Sequence, residues 1–378
     1  MPVEVTGIMS HHLSNEETPL PPKKFDKAVL RDTALAHDAA GFDRVLIAQS
    51  SYWPDSMPIA AYLAGITEKL GFMVAHRPGF VSPTMAARMF ATLDQVSEGR
   101  AAIHVITAAN DRETRCDGDF LTKEERYNRS REFVDVLRMI WRAETPVSHA
   151  GRFFRFEDAL SEIRPYNGVS IPVYWAGSSE LGLRYGGECA DHYAMGMESL
   201  ELTRAAIARA KGAAAAAGRT MQLQGTVRVI LGDTEDQAWD KARTILDKII
   251  HNGKERERLT GNAWLLPGGR SEKALSNMVN NSGEERFLSL TGSAAVQDSN
   301  LWIGPQAAGI PMAPSLVGTP QQVVEAMMRY YAMGMTGFLF RGFDLIGDAR
   351  EAGLALIPML KAAALAHDAA QAERTAHA

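Results

Sequence analysis

Eight short apolar runs, each followed by a longer stretch of helical spacing, recur along this 378-residue chain and leave few architectures open to it. The runs occupy residues 3–9, 44–48, 70–75, 101–107, 171–176, 190–195, 225–231 and 337–341. They are close to continuously apolar rather than alternating, as in RVLIA at 44–48 and LGFMVA at 70–75. A strand of that composition is buried on both faces, the situation of a parallel sheet covered by helices. Helical patterns fill 25–40, 57–67, 83–96, 125–142, the segment from Ser179, 200–217, 235–250, 320–333 and 350–367. Eight strand–helix units predict a single α/β domain over 1–378, closed as a (β/α)8 TIM barrel. An open doubly wound sheet is the alternative, and the lack of Gly-x-Gly-x-x-Gly after the first run weighs against it.

Two stretches belong to no barrel unit. Residues 251–304 are polar, with a GGR turn at 268–270, and read as an insertion after the seventh strand. Insertions of that length serve as lids or are surface excursions without a role. The Ala-rich end, 362–378, reads as a C-terminal helical tail.

Composition narrows the functional classes. A formal net charge of −5, from 40 basic against 45 acidic residues, argues against nucleic acid or an anionic membrane as the main partner. Cys116 and Cys189 are too few for a disulfide scaffold or a metal cluster. Residues 1–10 lack a basic start with an apolar core, and no apolar run approaches the ~20 residues of a membrane span, so a cytoplasmic protein is expected. No His-x-His or His-Glu-x-x-His spacing points to a metal hydrolase, since His11 and His12 are adjacent.

In a closed barrel the loops at the C-terminal strand ends build the active site. Those positions carry His11 and His12, Gln49 to Trp53, His76 and Arg77, Thr107 to Asp111, Gly177 to Ser179, Gly196 and Met197, and Phe343 and Asp344, with Arg228 inside the seventh strand. The sharpest local signal is AGSS at Ala176, Gly177, Ser178 and Ser179. A glycine bend with two hydroxyl residues opening a helix seats a phosphate, because backbone N–H groups and the helix field both favour an anion. The competing reading is that Ser178 or Ser179 only caps the helix.

Longer blocks carry a resemblance. AHRPGFVSPTMAARMFATLDQVSEGRAAIHVIT (75–107), DGDFLTKEERYNRSREFVDVLRMIW (117–141), GSS at 177–179 and LVGTPQQVVEAM (316–327) resemble, in order, the luciferase-like flavin monooxygenases, particularly their alkanesulfonate monooxygenase branch. That resemblance implies reduced FMN (FMNH2) as a dissociable cosubstrate. Ala176, Gly177, Ser178 and Ser179 with Tyr127 would hold its phosphate end, and His104 and Thr107 would meet its ring. His104 also fits a buried histidine bonded to a carbonyl. A non-proline cis peptide near Ala75–His76 is implied as well. The implied reaction is oxygenation of a small organic, organosulfur or sulfonate-like molecule through a flavin C4a-(hydro)peroxide. FMNH2 would come from a separate NAD(P)H-dependent reductase, and a homodimer or homotetramer is implied.

Substrate positions depart from that branch. Trp53 stands where the branch has Cys, Gly196 where it has Trp, and Thr226 and Arg228 where it has Arg and His. Phe343 and Leu345 replace a Tyr and a His. The expected pocket therefore has His11, His12 and Arg228 for chemistry, with Trp53, Arg77, Arg228, Arg341 and Phe343 around the substrate; the competing reading is that Arg77 and Arg341 only form salt bridges across the barrel mouth and that Trp53 packs in the core. An F420-dependent oxidoreductase of the same fold and a non-catalytic flavin-binding protein are the alternatives.

Overall fold

The computed structural model describes residues 3–13, 25–107, 111–168, 170–260, 296–298, 300–307 and 312–376. Eight parallel strands form the barrel: β1 (Glu4–Ile8), β2 (Arg44–Ile47), β3 (Gly71–His76), β4 (Ala101–Val105), β5 (Val173–Ala176), β6 (His192–Gly196), β7 (Gln222–Leu231) and β8 (Gly337–Arg341). Each pairs with its neighbour in the series, and β8 pairs with β1 through Val5 opposite Phe338. Closure comes at β7, where Gly225 lies opposite Met195 on one edge and Phe338 on the other. The closed TIM barrel expected from the sequence is the observed fold.

Partners in a parallel ladder point to the same face, so the register separates inner from outer side chains. Leu46, Met73, Ala102, Tyr174 and Leu339 form the apolar middle of the barrel. Nearer the N-terminal strand ends the inner face turns polar. Tyr174 donates its hydroxyl to both Glu4 carboxylate oxygens at 2.7 and 2.9 Å, and Arg44 Nε donates to Glu4 at 3.2 Å. Gln224 Nε2 donates to Thr6 Oγ1 at 2.8 Å, and His192 stacks on Tyr174 at 4.3 Å. This network plugs the floor with mutually hydrogen-bonded polar groups, of which Gln224 Oε1 is the one buried atom without a partner among the described residues, and leaves the C-terminal end as the open one.

Outside lie α1 (Lys27–Ala39), α2 (Ser56–Ala64), α3 (Pro83–Val96), α4 (Lys123–Arg142), α5 (Glu180–Cys189) and α6 (Leu200–Ala216). Local chemistry starts them. Asp26 caps α1, Ser82 caps α3 ahead of Pro83, and Thr122 with Glu125 forms a capping box on α4. Trp141 Nε1 donates to Ala87 O at 3.0 Å and fastens α4 to α3.

The seventh unit departs from expectation. Helix α7 (Glu235–Thr260) does not end at residue 250. Its Ala238, Ala242, Ile245, Leu246 and Ile249 pack on Ile230, Val317 and Phe343. Ile230 is on the same ladder face as Gln224, Thr226 and Arg228, so α7 covers the face of β7 that lines the barrel lower down. It is a roof element, and the outer helix of this unit is instead α8 (Pro320–Ala332). The first ten residues of the expected insertion are thus the end of α7, and 261–295 lie outside the described residues. Val296–Gln297 and Leu301–Trp302 then form an antiparallel hairpin. Strand Ser315–Gly318 runs parallel to β7 from Arg228 to Leu231. Arg228 also faces Arg341 across β8, so this added strand uses the β7 edge that β6 occupies lower down.

Three other features were not expected. Val147–Ala150 and Arg155–Ala159 form a hairpin between α4 and β5. Among the described residues every peptide bond is trans, and His76 stays in the ladder opposite Val105, so the expected cis bond near Ala75–His76 is not found. The C-terminal helix runs from Gly347 through a π turn at Ala352–Leu356 to Ala376. Its stretch Gly347–Thr375 is long and apolar enough to cross a membrane by length and composition, contrary to the sequence reading. Leu356, Ile357, Leu360 and Ala364 nevertheless pack into the barrel's outer core, as on an amphipathic core helix.

Three histidines are buried with their pKa pushed from 6.5 to about 4 by desolvation: His37, His76 between Phe90 and Phe133, and His104. They stay neutral in the fold while the unfolded chain takes up protons, so their contribution to stability is complete above pH 6.5 and drains away toward pH 4. Thermal melts across that window should show a falling Tm, and His76→Leu should flatten the fall; an unchanged slope in a folded His76→Leu protein would contradict this.

Candidate active site

The bend after β5 is closely packed. Gly177 sits at φ 156°, where a Cβ would lie 3.3 Å from Gly182 Cα and 3.4 Å from the Tyr127 hydroxyl. Tyr193 donates its hydroxyl to the Gly177 carbonyl and fixes the bend from outside the barrel. Tyr127 is buried between Trp175 at 6.1 Å and Tyr185 at 5.8 Å. Ser179 is the N-cap of α5, accepting from Gly182 N at 3.2 Å, so the capping reading holds for that residue. Ser178 is exposed, and its hydroxyl has no partner among the described residues. Two serines in sequence therefore have separate tasks, one holding the helix and one facing solvent at its N-terminus.

His104 lies on the inner face of β4 in register with Tyr174 and Ala75. Its Nδ1 is buried and makes no hydrogen bond among the described residues, so no described carbonyl accounts for that nitrogen. Burial holds the ring neutral, with a pKa of about 4. Thr107 follows at the strand end, and its carbonyl accepts from Arg126 Nε at 3.1 Å. Arg126 also binds Leu121 O at 2.6 Å and Asp111 at 2.7 Å, tying the loop after β4 to α4.

Across the mouth, the turn after β1 is shaped by Ser10, whose hydroxyl donates to His12 O at 2.6 Å. The His11 and His12 rings meet edge to face at 4.4 Å. Burial, and secondarily the neighbouring His12, lowers the His11 pKa below its usual value. Trp53 approaches His11 at 6.1 Å and remains 51% exposed, so it is not a core residue.

Arg77 follows the salt-bridging reading rather than the substrate one. It is buried and its guanidinium is engaged: Nη2 to Glu113 at 2.8 Å, Nη1 to Asp117 at 3.1 Å and to Ser51 Oγ at 2.9 Å. Ser51 in turn donates to the Glu113 carbonyl at 2.9 Å. Arg77 therefore latches the loop carrying Trp53 to the short helix Asp111–Cys116, and its fork is spent on that task. The two carboxylates of this latch were not picked out in the sequence, because nothing local marks a pairing across loops.

Arg228 and Arg341 stand opposite each other on β7 and β8, both with inner-face parity. The Arg228 guanidinium lies 4.6 Å from the centre of the Phe343 ring. Phe343 is 1% exposed in the cluster beneath α7, so it backs Arg228 rather than walling a pocket. Leu345 is buried as well. Thr226 faces Gly196 across the β6–β7 ladder, and a Cβ on Gly196 would meet nothing within 4 Å. Gln49 was noted only as a loop residue, yet its Oε1 is buried without a partner among the described residues. No group of three or more metal-ligating side chains occurs among them.

Residues 7–337 match the luciferase-like monooxygenase family. The chain belongs to that family. Its enzyme class follows from the membership: a luciferase-like, flavin-dependent monooxygenase. Solved structures similar to it share the barrel at low identity. One is a riboflavin lyase with modified FMN and riboflavin (18% identity, 96% of this chain and 92% of that one, TM-score 0.72). Another is an EDTA monooxygenase from Chelativorans sp. BNC1 (19%, 96% and 94%, 0.72). A third is a coenzyme F420-dependent tetrahydromethanopterin reductase from Methanopyrus kandleri (16%, 95% and 99%, 0.65). At such identities these likenesses establish the fold alone, and they do not single out the alkanesulfonate branch.

Arg77→Ala should leave Glu113 and Asp117 facing each other without a cation and cost about 1–3 kcal/mol, since both carboxylates retain partial exposure. Denaturant unfolding measures the loss, and proteolysis within residues 48–55 should quicken. Arg77→Ala with native stability and an unaltered proteolytic pattern would remove the latch.

Proposed function

We propose that this protein uses reduced FMN and oxygen to insert an oxygen atom into a small organosulfur or sulfonate-like anion, with FMNH2 delivered by a separate NAD(P)H-dependent reductase. The observation that carries the reading is the pairing of two features on one rim. A hydroxyl without a partner among the described residues opens a ten-residue helix after a glycine bend, and a neutral imidazole whose Nδ1 has no partner among them projects inward from the adjacent strand β4. The residues present fit a flavin phosphate and ring edge. A Cβ at Gly177 would crowd the bend, Ser178 offers a donor where the helix field favours an anion, and His104 Nδ1 is a buried polar atom awaiting a ligand.

Reduced FMN, when bound, supplies the electrons for activating oxygen. The chain's own groups do the rest. Ser178 and the first N–H groups of α5 would hold the phosphate, with Tyr127 buttressing the bend from below. His104 would fix the ring by hydrogen bonding without bringing a charge beneath it. His11, whose lowered pKa leaves it neutral at physiological pH, is the proton acceptor at the mouth. Arg228 and Arg341 supply paired N–H donors to an anionic group. Helix α7 would form part of the cover that excludes water from the reacting centre.

No segment of the sequence has a nicotinamide-nucleotide fingerprint, which supports a separate reductase. Appreciable NADH oxidation by the purified protein with FMN would reject that part of the reading. For the seat, Ser178→Ala should weaken FMN binding by about 1–3 kcal/mol, the scale of a hydrogen bond to a charged group, with thermal stability unchanged. Ser179→Ala should instead lower stability by about 1 kcal/mol as a lost cap. Fluorescence titration and thermal melts read the two effects. Unaltered FMN affinity in Ser178→Ala, or binding of reduced F420 with none of FMN, would overturn the assignment.

A further inference from the structure

Helix α5 carries glycine where glycine weakens a helix. Gly182 and Gly186 lie one turn apart on its buried face. Both places are filled from outside the helix. A Cβ on Gly182 would lie 3.2 Å from Gly177 Cα, and a Cβ on Gly186 would overlap the ring of Tyr193. The bare face of α5 therefore admits the bend at one point and a tyrosine ring at the other. Tyr193 is 1% exposed and stands opposite Trp175 in the β5–β6 ladder, on the outer side of the barrel wall. Burial, and secondarily Tyr127, raises its pKa, so the phenol keeps its proton and donates to the Gly177 carbonyl.

That bond fixes more than a carbonyl. The Gly177–Ser178 peptide is trans, so its N–H points opposite to its C=O. With the carbonyl held toward the helical layer, the Ser178 N–H is directed toward the mouth, where it meets no acceptor among the described residues. Glycine at 177 would otherwise let the peptide plane turn over at little cost. The turned form presents a carbonyl oxygen, which repels a phosphate. A hydroxyl at the same place tolerates either orientation, because it both donates and accepts. Riboflavin ends in such a hydroxyl, and FMN in a phosphate.

We infer that Tyr193 is the positioning residue for the phosphate end of the flavin: it selects the peptide orientation that aims the Ser178 N–H at the anion, and so sets a preference for FMN over riboflavin. Tyr193 acts only through Gly177 and touches no ligand. The inference rests on the flavin reading proposed above, which has separate support in the buried His104 Nδ1 on the neighbouring strand.

The test is anaerobic fluorescence titration of the full-length protein with FMNH2 and with reduced riboflavin. The unmodified protein should bind FMNH2 more tightly. Tyr193→Phe leaves the ring in its slot and removes only the donor. It should weaken FMNH2 about tenfold, the scale of one hydrogen bond to a charged group, and reduced riboflavin by less than about twofold. Gly186→Ala, which displaces the ring with its hydroxyl intact, should lower the same ratio, and it carries the test if Tyr193→Phe does not fold. Equal losses for the two flavins, or an unchanged ratio in a folded variant, would overturn the inference. So would an unmodified protein that binds both flavins equally. Failure of the flavin reading itself shows differently, as binding of neither flavin by the unmodified protein.

Discussion

Everything at the mouth depends on β7 pairing along both of its edges. With Gly225 locked between Met195 and Phe338, the sheet has no free edge in its lower half, and side chains must choose the inside or the outside of a closed wall. The inside is then a one-ended vessel. Glu4, Arg44, Tyr174 and Gln224 fill its floor with mutual hydrogen bonds, and Met73, Ala102 and Leu339 fill its middle. Chemistry is left with the other end. The parity that puts Gln224 in the floor also brings Thr226 and Arg228 up the same face toward the opening.

β7 is longer than its neighbours, and its excess builds the superstructure. Above the end of β6, the strand Ser315–Gly318 takes the vacated edge, and α7 lies against Ile230 on the inner side. Lys241 of α7 reaches Asp348 and Glu351 at 3.3 and 3.1 Å, and Asp348 accepts from the N–H groups of Phe343 and Asp344 at 2.6 and 2.9 Å. The roof, the loop after β8 and the ring behind Arg228 are thereby one connected unit. A second unit, built on Arg77, joins the loops after β2 and β4. The mouth is thus framed by polar clasps whose members come from different loops.

That division explains what was legible in the sequence. The eight strands could be read because each is a continuous apolar run, and such a run has few other uses in a helix-covered sheet. The Gly177–Ser179 bend and the Ser179 cap could be read because a glycine followed by hydroxyl residues at a helix start is a local signal. The clasps could not. Arg77 is 36 and 40 residues from Glu113 and Asp117, and all three look like any surface charges, so the sequence alone does not decide between a substrate role and a salt bridge that engages both Nη groups. The position of α7 was also hidden: its amphipathic pattern gives a buried face without saying which side of the barrel that face meets. The hairpin Val147–Ala150 and Arg155–Ala159 is too short and too polar to register as strand.

The departures from the alkanesulfonate branch gain meaning from where they lie. Phe343 and Leu345 are both buried, and Phe343, packed beneath the roof, supports the Arg228 guanidinium from behind. Gly196 removes bulk from the inner face beside Thr226, while Trp53 adds it on the far rim. None of these positions belongs to the bend after β5 or to the floor network. Replacing residues on the inner face above the floor alters the shape and charge of the opening without disturbing the ladder that closes the barrel, because the ladder is made by backbone groups and the outer face by other side chains. The bend is equally insulated, being fixed by Tyr193 and Tyr127 from the helical layer. The inner-face positions above the floor and the bend after β5 are therefore held by separate sets of contacts, and either can vary without loosening the other.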